Sequence, residues 1–187
     1  TIGSGAFNWC GSLTEINLPD QLETLGVSAF SRCSSLTNIT IPSGLTELEG
    51  YLFSRCSALT EITIPRGIEK IGITPFQGTN LSAISVEEGN PVYKSDQNCI
   101  IRKADNVLIA GCKTSVIPDY VETIGEGAFR SCQGLTEITV PASVRKIDKD
   151  AFADCRNLTS ITLSEGLKEI VSTPFADDNP FRFCINL

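Results

Sequence analysis

Hydrophobic positions along the chain recur with a period of 23 residues. The clearest marker of this period is a phenylalanine, found at Phe7, Phe30, Phe53 and Phe76 and again at Phe129, Phe152 and Phe175. A repeat of roughly 20–50 residues is typical of solenoids, in which each unit buries its apolar face only by stacking on its neighbours. The pattern therefore predicts one continuous stack of coils rather than a globular domain.

The segment that follows each phenylalanine predicts a short β-strand. Two inward apolar columns are separated by two residues, which places them on one face of a strand. These columns are Ile16, Ile39, Ile62, Ile84, Ile138 and Ile161, and Leu18, Ile41, Ile64, Val86, Val140 and Leu163. Thr and Ile dominate the segment, and both favour strands. In most repeats a proline then ends the strand, as at Pro42 and Pro65, because it removes a ladder donor.

The residues that alternate with these inward positions point outward, and they form the candidate partner-binding surface. Its members are Glu15, Asn17, Asn38, Thr40, Glu61, Thr63, Ser85, Glu137, Thr139, Ser160 and Thr162. With strands about 4.8 Å apart, they predict a polar, mildly acidic ridge roughly 30 Å long. The alternative interpretation is that the threonines serve strand propensity and cross-strand packing. The surface lacks the aromatic and arginine anchors typical of hot spots, so we expect weak contacts, strengthened by multiple copies.

A second apolar pair follows each strand, for example Leu45 and Leu48, and predicts an extended piece or turn on the opposite side of the coil. Glycine often comes next, as at Gly26 and Gly72, where it would suit a positive φ. Val171 occupies the same column, and a β-branched residue argues against a strict left-handed requirement. The Ala-Phe pair that follows leaves room for about one turn of helix before the next strand.

The repeated string Leu-Thr-x-Ile-x-Ile-Pro, followed by Ile-Gly-x-x-Ala-Phe-x-x-Cys, resembles the BspA-like (treponemal-type) leucine-rich repeat of bacterial surface proteins. The resemblance covers nearly the whole chain and is specific for the fold, but not for function. It implies a right-handed solenoid with a parallel concave β-sheet and with short strands or helical turns on the convex side. It also implies a secreted or surface-held bacterial protein, and members of the family are associated with adhesion to host or neighbouring-cell proteins.

The repeat is interrupted between Phe76 and Phe129, which are 53 residues apart, or two periods plus seven. The apolar segments 99–102 and 107–109 flank a polar turn and predict a β-hairpin, similar to the hairpin insertion of the same repeat family. We interpret the hairpin as a variant of one coil that keeps the stack continuous. The alternative is a hairpin that projects and helps to bind a partner.

The predicted organisation is a single solenoid over residues 1–187. It consists of a first repeat block at 1–86, an irregular insertion that contains the hairpin at 87–116, and a second repeat block at 117–187. The aromatic residues near the end of the second block are the candidate C-terminal cap, because a bare solenoid end exposes core. The first seven residues correspond to the back half of a repeat, so we expect the chain to be part of a longer protein.

Charge narrows the class of partner. The net charge of −7 argues against nucleic acid, which requires a basic surface to replace counterions, and against anionic lipid. No apolar run is long enough to span a bilayer, so we expect no membrane insertion.

On the side opposite the candidate surface, Trp9, Arg32 and Arg55 share the column two residues after the phenylalanine. Trp9 is the only tryptophan, and it is either an exposed anchor or shielded by a preceding repeat.

Eight cysteines are present, and the spacing of five of them points to buried thiols. Cys10, Cys33, Cys56, Cys132 and Cys155 each follow a repeat phenylalanine by three residues. Free cysteine behaves as a small hydrophobic residue, so we favour stacked thiols over disulfides. A disulfide between Cys99 and Cys112, which flank the hairpin, is the alternative at that place. Zinc is not expected, because there is no C-x-x-C pair and no histidine.

Catalytic motifs are absent from the sequence. Without histidine, Ser-His-Asp and Cys-His mechanisms are excluded, and there is no phosphate-binding loop or dinucleotide fingerprint. We therefore expect neither an enzyme nor a cofactor, although a paired-carboxylate glycosidase site stays open as a minor alternative. The run Asp177-Asp178-Asn179 could ligate Ca²⁺ through oxygen, but a solvated loop is the favoured interpretation.

The absence of catalytic motifs predicts a non-catalytic chain, and the resemblance implies a protein–protein interaction or adhesion module of a secreted or surface-anchored bacterial protein. Its partner would be a host or neighbouring-cell protein bound through the concave columns, and its location extracellular or at the bacterial cell surface. The alternative function is a structural spacer that binds nothing. Carbohydrate binding is disfavoured, because the concave columns contain no aromatic side chain that could stack on a sugar ring.

Overall fold

The computed structural model describes residues 1–172 and 179–187 of the chain. Over these residues the backbone forms a β-solenoid of about five coils with parallel strands, so the predicted fold class is confirmed. Phe175 lies outside the described residues, as do Asp177 and Asp178 of the candidate calcium loop. The described part contains no helix that is both long and apolar enough to cross a membrane.

Among the described residues, twelve strands follow one another. They are β1 (Glu47–Leu48), β2 (Glu61–Ile64), β3 (Lys70–Ile71), β4 (Ala83–Val86), β5 (Tyr93–Asp96), β6 (Cys99–Arg102), β7 (Val107–Ala110), β8 (Thr123–Ile124), β9 (Glu137–Val140), β10 (Lys146–Ile147), β11 (Ser160–Leu163) and β12 (Glu169–Ile170). In the predicted concave row, β2 pairs with β4 and β9 with β11, in parallel. The two-residue strands β1, β3, β8, β10 and β12 form a second row, which confirms the extended pieces predicted from the second apolar pairs.

The strands predicted in the first two coils are not formed as strands. Residues 37–41 keep the predicted alternation, since Ile39 and Ile41 are buried while Asn38 and Thr40 are exposed. However, the N–H and the hydroxyl of Thr37 both donate to the same carbonyl, that of Thr14, each at 3.2 Å. The same pair of bonds joins Thr159 to Thr136 at the start of the β9–β11 ladder, but between the first two coils no backbone ladder follows it, so no sheet forms there.

The convex side consists of turns, and the helical turn expected there is not formed among the described residues. In the second coil, the N–H groups of Ala29 and Ser31 bond locally, three residues back, whereas those of Phe30 and Arg32 bond to carbonyls of the next coil at 3.1 and 2.7 Å. A helix requires consecutive N–H groups to bond within the same segment. Because alternate N–H groups are committed to the neighbouring coil, the turn cannot continue as a helix.

Glycine in the column of Gly26 and Gly72 serves close packing rather than a positive φ. Neither residue has a positive φ, which agrees with the argument from Val171 against a strict left-handed requirement in this column. A Cβ on Gly72 would lie 2.5 Å from the backbone nitrogen of Gly50, and one on Gly26 would clash with the backbone of Ser4. The glycines therefore let neighbouring coils approach each other closely.

The phenylalanine column forms the centre of the core. The rings of Phe7, Phe30, Phe53 and Phe76 stack nearly parallel, with centroids 5.2, 5.8 and 6.1 Å apart. In the second block, Phe129 stacks on Phe152 at 5.1 Å, and Phe181 follows at 5.5 Å, a position that the 23-residue period does not predict. Phe30, Phe53, Phe129 and Phe152 are almost fully buried. Each ring thus closes the interior of its coil and supports the next one.

The insertion forms a meander inside the stack. The predicted hairpin is confirmed as β6 and β7, and β5, which the sequence analysis did not predict, adds a second hairpin. β7 pairs in parallel with β8, so the meander extends the second row of strands. Along β6, Ile100 packs in the core of the first block, whereas Cys99 and Ile101 pack in that of the second. A strand that is apolar on both faces therefore joins the two cores instead of projecting. The predicted bounds of the insertion, at 86/87 and 116/117, stay a prediction.

Side chains of the insertion also form hydrogen bonds with backbone groups at the open edge of the first block. Asn90 is buried, accepts N–H bonds from Val92 and Tyr93, and donates to two carbonyls of the preceding coil at 3.1 and 2.9 Å. Ser95 accepts a hydrogen bond from the N–H of Val86 at 2.9 Å, an edge group of β4. Unpaired edge groups would otherwise be available for association with other chains. The insertion therefore caps the first sheet in place of another strand.

Candidate functional site: the concave face

All eleven residues of the predicted concave columns are exposed. The alternation is clearest in β2, where Glu61 and Thr63 are exposed while Ile62 and Ile64 are buried. β9 shows the same pattern. The period-two geometry of a strand produces this separation, since successive side chains lie on opposite faces of the sheet. The columns are thus available on the surface, whereas their binding of a partner stays a prediction.

The candidate residues group around two shallow depressions, one in each block. The first has a volume of about 300 Å³ and contains Asn38, Thr40, Glu61 and Thr63, with Glu87 at its rim. The second, of about 360 Å³, contains Glu137, Thr139, Ser160 and Thr162. Glu15, Asn17 and Ser85 line neither depression. The structure therefore brings eight of the eleven residues into two groups of four rather than into one continuous ridge.

The insertion separates these two groups. The turn between β5 and β6 reaches the concave row, where Asn98 accepts a hydrogen bond from the N–H of Ile84 at 3.4 Å. The Asn98 side chain donates to the hydroxyl of Thr114 at 3.1 Å, and its carbonyl accepts a bond from Ser115 at 2.7 Å. Asn98 therefore joins the edge of β4 to the last residues of the insertion, which lead into the second block.

The sequence analysis missed two residues of this face. Thr114 and Val116 are exposed, Val116 by 59%, and both line the second depression. Counting back from Pro118 as from Pro42 would have found them, since the outward positions lie two and four residues before the proline. Ser115, at the inward position between them, is buried and hydrogen-bonds to the backbone.

The electrostatic character of the face is acidic, with a basic residue at the second depression. Neither Glu61 nor Glu137 forms an ion pair within the described part of the chain. Lys113 lies in the second depression and donates to the side-chain carbonyl of Asn80 at 2.8 Å. Thr63 and Ser85 share a hydrogen bond of 2.8 Å between their hydroxyls, so one pair of the threonine column has a cross-strand role.

The cysteine column is built for packing between coils. The thiols of Cys33, Cys56 and Cys155 are buried and donate to the carbonyl of the phenylalanine 26 residues earlier, at 3.2, 3.1 and 3.0 Å. Cys132 is partly buried, and Cys10 is exposed, contrary to the expectation of a fully buried column. All eight cysteines are free thiols, so the alternative of a Cys99–Cys112 disulfide is wrong.

The environment of these thiols opposes thiolate chemistry. Burial raises the pKa of Cys33 to about 11 and that of Cys56 to about 12, and neighbouring thiols of the column act in the same direction. The thiolate is the nucleophile and the metal ligand, and it requires a lowered pKa at neutral pH. Among the described residues, no group of three or more acidic, cysteine or histidine side chains is arranged to hold a metal ion.

Family comparison agrees with this geometry. The model of the BspA type leucine rich repeat region matches the chain in six copies, over residues 1–101 and 110–185. The chain belongs to the BspA-type leucine-rich repeat family. The gap in the match, residues 102–109, falls on the end of β6, the following turn and most of β7, where the insertion departs from the repeat. No protein of curated function matches the chain.

Solved structures of bacterial proteins share the architecture of this family member. A leucine-rich cell surface protein from Faecalibacterium prausnitzii is 30% identical over 99% of the chain and 49% of its own, with a TM-score of 0.75. The pneumococcal vaccine antigen PcpA is 28% identical over 80% of the chain and 39% of its own, with a TM-score of 0.70. A leucine-rich repeat protein of T. pallidum is 26% identical, with a TM-score of 0.51. The chain spans less than half the length of the first two.

Proposed function

We propose that this chain is a non-catalytic protein-interaction module of a secreted or surface-anchored bacterial protein, and that it binds a host or neighbouring-cell protein through its concave face. The observation that carries the proposal is the arrangement of the outward columns. Eight polar residues surround two depressions, and the carboxylates of Glu61 and Glu137 have no ion-pair partner among the described residues. Such groups are open to hydrogen bonds and ion pairs with a partner, whose basic or polar groups would offset the desolvation of the carboxylates.

The similar proteins support a surface location and an interaction role. The Faecalibacterium prausnitzii protein is described as a cell surface protein, and PcpA as a vaccine antigen. Both resemble this chain in the solenoid itself, which is the part that carries the concave face. The extracellular or cell-surface location of this chain is proposed on that similarity.

A structural spacer is the second candidate function, and two observations favour it. The Thr63–Ser85 hydrogen bond gives part of the threonine column a role inside the sheet. The eleven candidate residues include no aromatic side chain and no arginine, the types that dominate binding hot spots. A spacer would need the same stack of coils and no partner.

Charge reversal on the concave face separates the two functions. The purified chain would be tested by surface plasmon resonance against immobilised matrix proteins, mucins and glycans, alongside Glu61→Lys/Glu137→Lys. The matched control is Glu23→Lys/Glu122→Lys, which changes two exposed carboxylates outside the concave columns, one in each block. We expect binding of a protein that is lost in the concave variant and retained in the control.

Equal binding by both variants would place the site elsewhere and reject the concave face. Binding of none of the immobilised molecules by the folded chain, even when it is displayed in many copies, would support the spacer. Circular dichroism of each variant establishes that the solenoid is intact, since all four substituted side chains are exposed.

A further inference from the structure

The convex turns place a column of residues in a strained conformation. The residue two positions after each core phenylalanine has a positive φ, between 56° and 69°. The column consists of Trp9, Arg32, Arg55, Gly78, Ser131, Asp154 and Phe183. The left-handed region favours glycine, because a Cβ crowds the following carbonyl there. Only Gly78 avoids this strain, so the chain retains large side chains at positions where glycine would fit the backbone better.

Three consecutive members form a ridge on the first block, which we call the arginine ridge: Trp9, Arg32 and Arg55. The guanidinium of Arg32 lies 4.0 Å from the centroid of the Trp9 ring, a cation–π geometry. Trp9 is 67% exposed, and Arg55 is exposed as well. Successive core rings beneath the ridge are 5.2 and 5.8 Å apart, which gives the step from one ridge residue to the next.

The ridge carries positive charge without internal compensation. Neither Arg32 nor Arg55 forms an ion pair in the described part of the chain. The convex segments of the first block, 4–13, 26–36, 50–59 and 72–81, contain no Asp or Glu, although the chain as a whole has a net charge of −7.

A cleft separates Arg55 from the charged residues of the second block. Asp154 and Arg156 line this cleft together with Arg55. The Asp154 carboxylate is engaged by Arg156 at 2.7 Å and by the hydroxyl of Ser131 at 3.1 Å. Asp154 is therefore committed within the second block, and the charge on Arg55 is left for another partner.

We propose that the arginine ridge is a docking surface for an acidic, extended peptide segment of a partner protein, separate from the concave face. An extended peptide presents alternate side chains on one side, about 7 Å apart. That spacing is within reach of flexible arginines one coil apart. Guanidinium groups bind carboxylates in a bidentate manner, and Trp and Arg are the residue types enriched in hot spots.

The chemistry of the ridge favours an acidic peptide over a sugar. The Arg32 guanidinium covers one face of Trp9, so the ring has only its other face left for stacking on a sugar, and the exposed groups beside it are cationic. The two arginines present paired cationic groups, which a segment with carboxylates at alternate positions would neutralise.

The only tryptophan gives a direct measurement of docking. The intact chain would be titrated with the peptide acetyl-(Glu-Ser)4-amide while the fluorescence of Trp9 is recorded, with the Gln-Ser peptide as the neutral control. We expect a saturable fluorescence change with the acidic peptide alone, which weakens as salt is raised. In Arg32→Gln/Arg55→Gln, the affinity measured by calorimetry should fall roughly tenfold or more, since hydrogen bonds to charged groups are lost. The matched control, Arg66→Gln/Lys168→Gln, removes two exposed charges outside the ridge and should bind as the unmodified chain does.

A second variant separates binding from structure. Arg55→Gly relieves the left-handed strain, so its thermal unfolding midpoint should be equal or higher while its affinity for the acidic peptide falls. A lower midpoint would show that the Arg55 side chain is retained for stability and would overturn the proposal. Three further results would also overturn it: no binding of the acidic peptide, equal losses in the ridge and control variants, or binding of a polyuronate glycan without binding of the peptide.

Discussion

The two repeat blocks form the same convex turn but carry different charged residues on it. The backbone bonds correspond, since the N–H of Phe30 donates to the next coil at 3.1 Å and that of Phe129 at 2.7 Å. In the first block, Arg32 occupies an outward left-handed position and has no carboxylate partner among the described residues. In the second block two of the left-handed positions hold aspartates, and both of these, Asp150 and Asp154, form ion pairs with arginines. The buried columns and the hydrogen bonds between coils therefore determine the fold, whereas the outward positions can hold residues of either charge.

The largest effect is expected from the core that both blocks share. Phe53→Ala and Phe152→Ala should each lower the free energy of unfolding by about 3–5 kcal/mol, because each removes a fully buried ring from a stack. Urea denaturation followed by circular dichroism measures the loss. Gln21→Ala is the control, since it truncates an exposed side chain outside both cores, and it should change stability by less than about 0.5 kcal/mol. A loss below about 1 kcal/mol in one block alone would mean that the two cores are not equivalent.

The junction between the blocks should be sensitive to added volume. A Cβ on Gly111 would lie 2.5 Å from Cζ of Phe129 and closer still to Cε1, so Gly111→Ala forces the ring or the backbone to move. We expect a loss of up to about 3 kcal/mol in thermal or urea denaturation. Gly3→Ala is the matched control, because its Cβ would meet nothing within 4 Å. An unchanged stability in both variants would show that the coil around Gly111 adapts without cost.

The repeated strands and buried columns were easier to predict from the sequence than the contacts between neighbouring coils and between the two blocks. The inward columns, the second row of strands and the β6–β7 hairpin follow from local periodicity, which the sequence displays directly. The left-handed positions were not predicted, because residues as different as Trp9 and Asp154 occupy them and leave no compositional signal. The role of Gly72 was also missed, since the need for glycine there arises from the neighbouring coil. The division of the candidate site into two depressions depends on how Asn98 enters the sheet, which no repeat predicts.

The thiol column should make stability fall in alkaline solution. Burial raises the pKa of Cys56 from about 9 in its ordinary state to about 12. A raised pKa contributes stability that is fully present below about pH 9 and is lost as the pH rises towards the folded-state value. When the pH is raised from 8 to 10.5, the raised pKa of this one thiol should lower the free energy of unfolding by about 2 kcal/mol.

The thiol prediction is tested by urea denaturation at pH 8 and pH 10.5 under reducing conditions. The pH-dependent loss should be smaller in Cys56→Ala, which cannot ionise at that position, than in the unmodified chain. Leu59→Ala serves as the control, since it removes a buried side chain of the same core but no thiol, so it should lower stability and leave the pH-dependent loss unchanged. A loss of the same size in Cys56→Ala would mean that other groups cause the alkaline unfolding.

The smallest effect on stability is expected from substituting the charged residues that distinguish the two blocks. Asp150 bonds to Arg130 at 2.6 Å and to Arg182 at 3.4 Å, and it has a positive φ that asparagine tolerates well. Asp150→Asn therefore removes the charge of a mostly buried side chain with little change in backbone strain, and we expect a loss of about 1.5 kcal/mol in low salt that shrinks in high salt. Arg32→Gln in the first block breaks no ion pair and loses only the contact with the Trp9 ring, so its effect on stability should depend on salt less than that of Asp150→Asn. If both variants responded to salt alike, the first block would also rely on its arginines for stability, and the contrast between the blocks would fail.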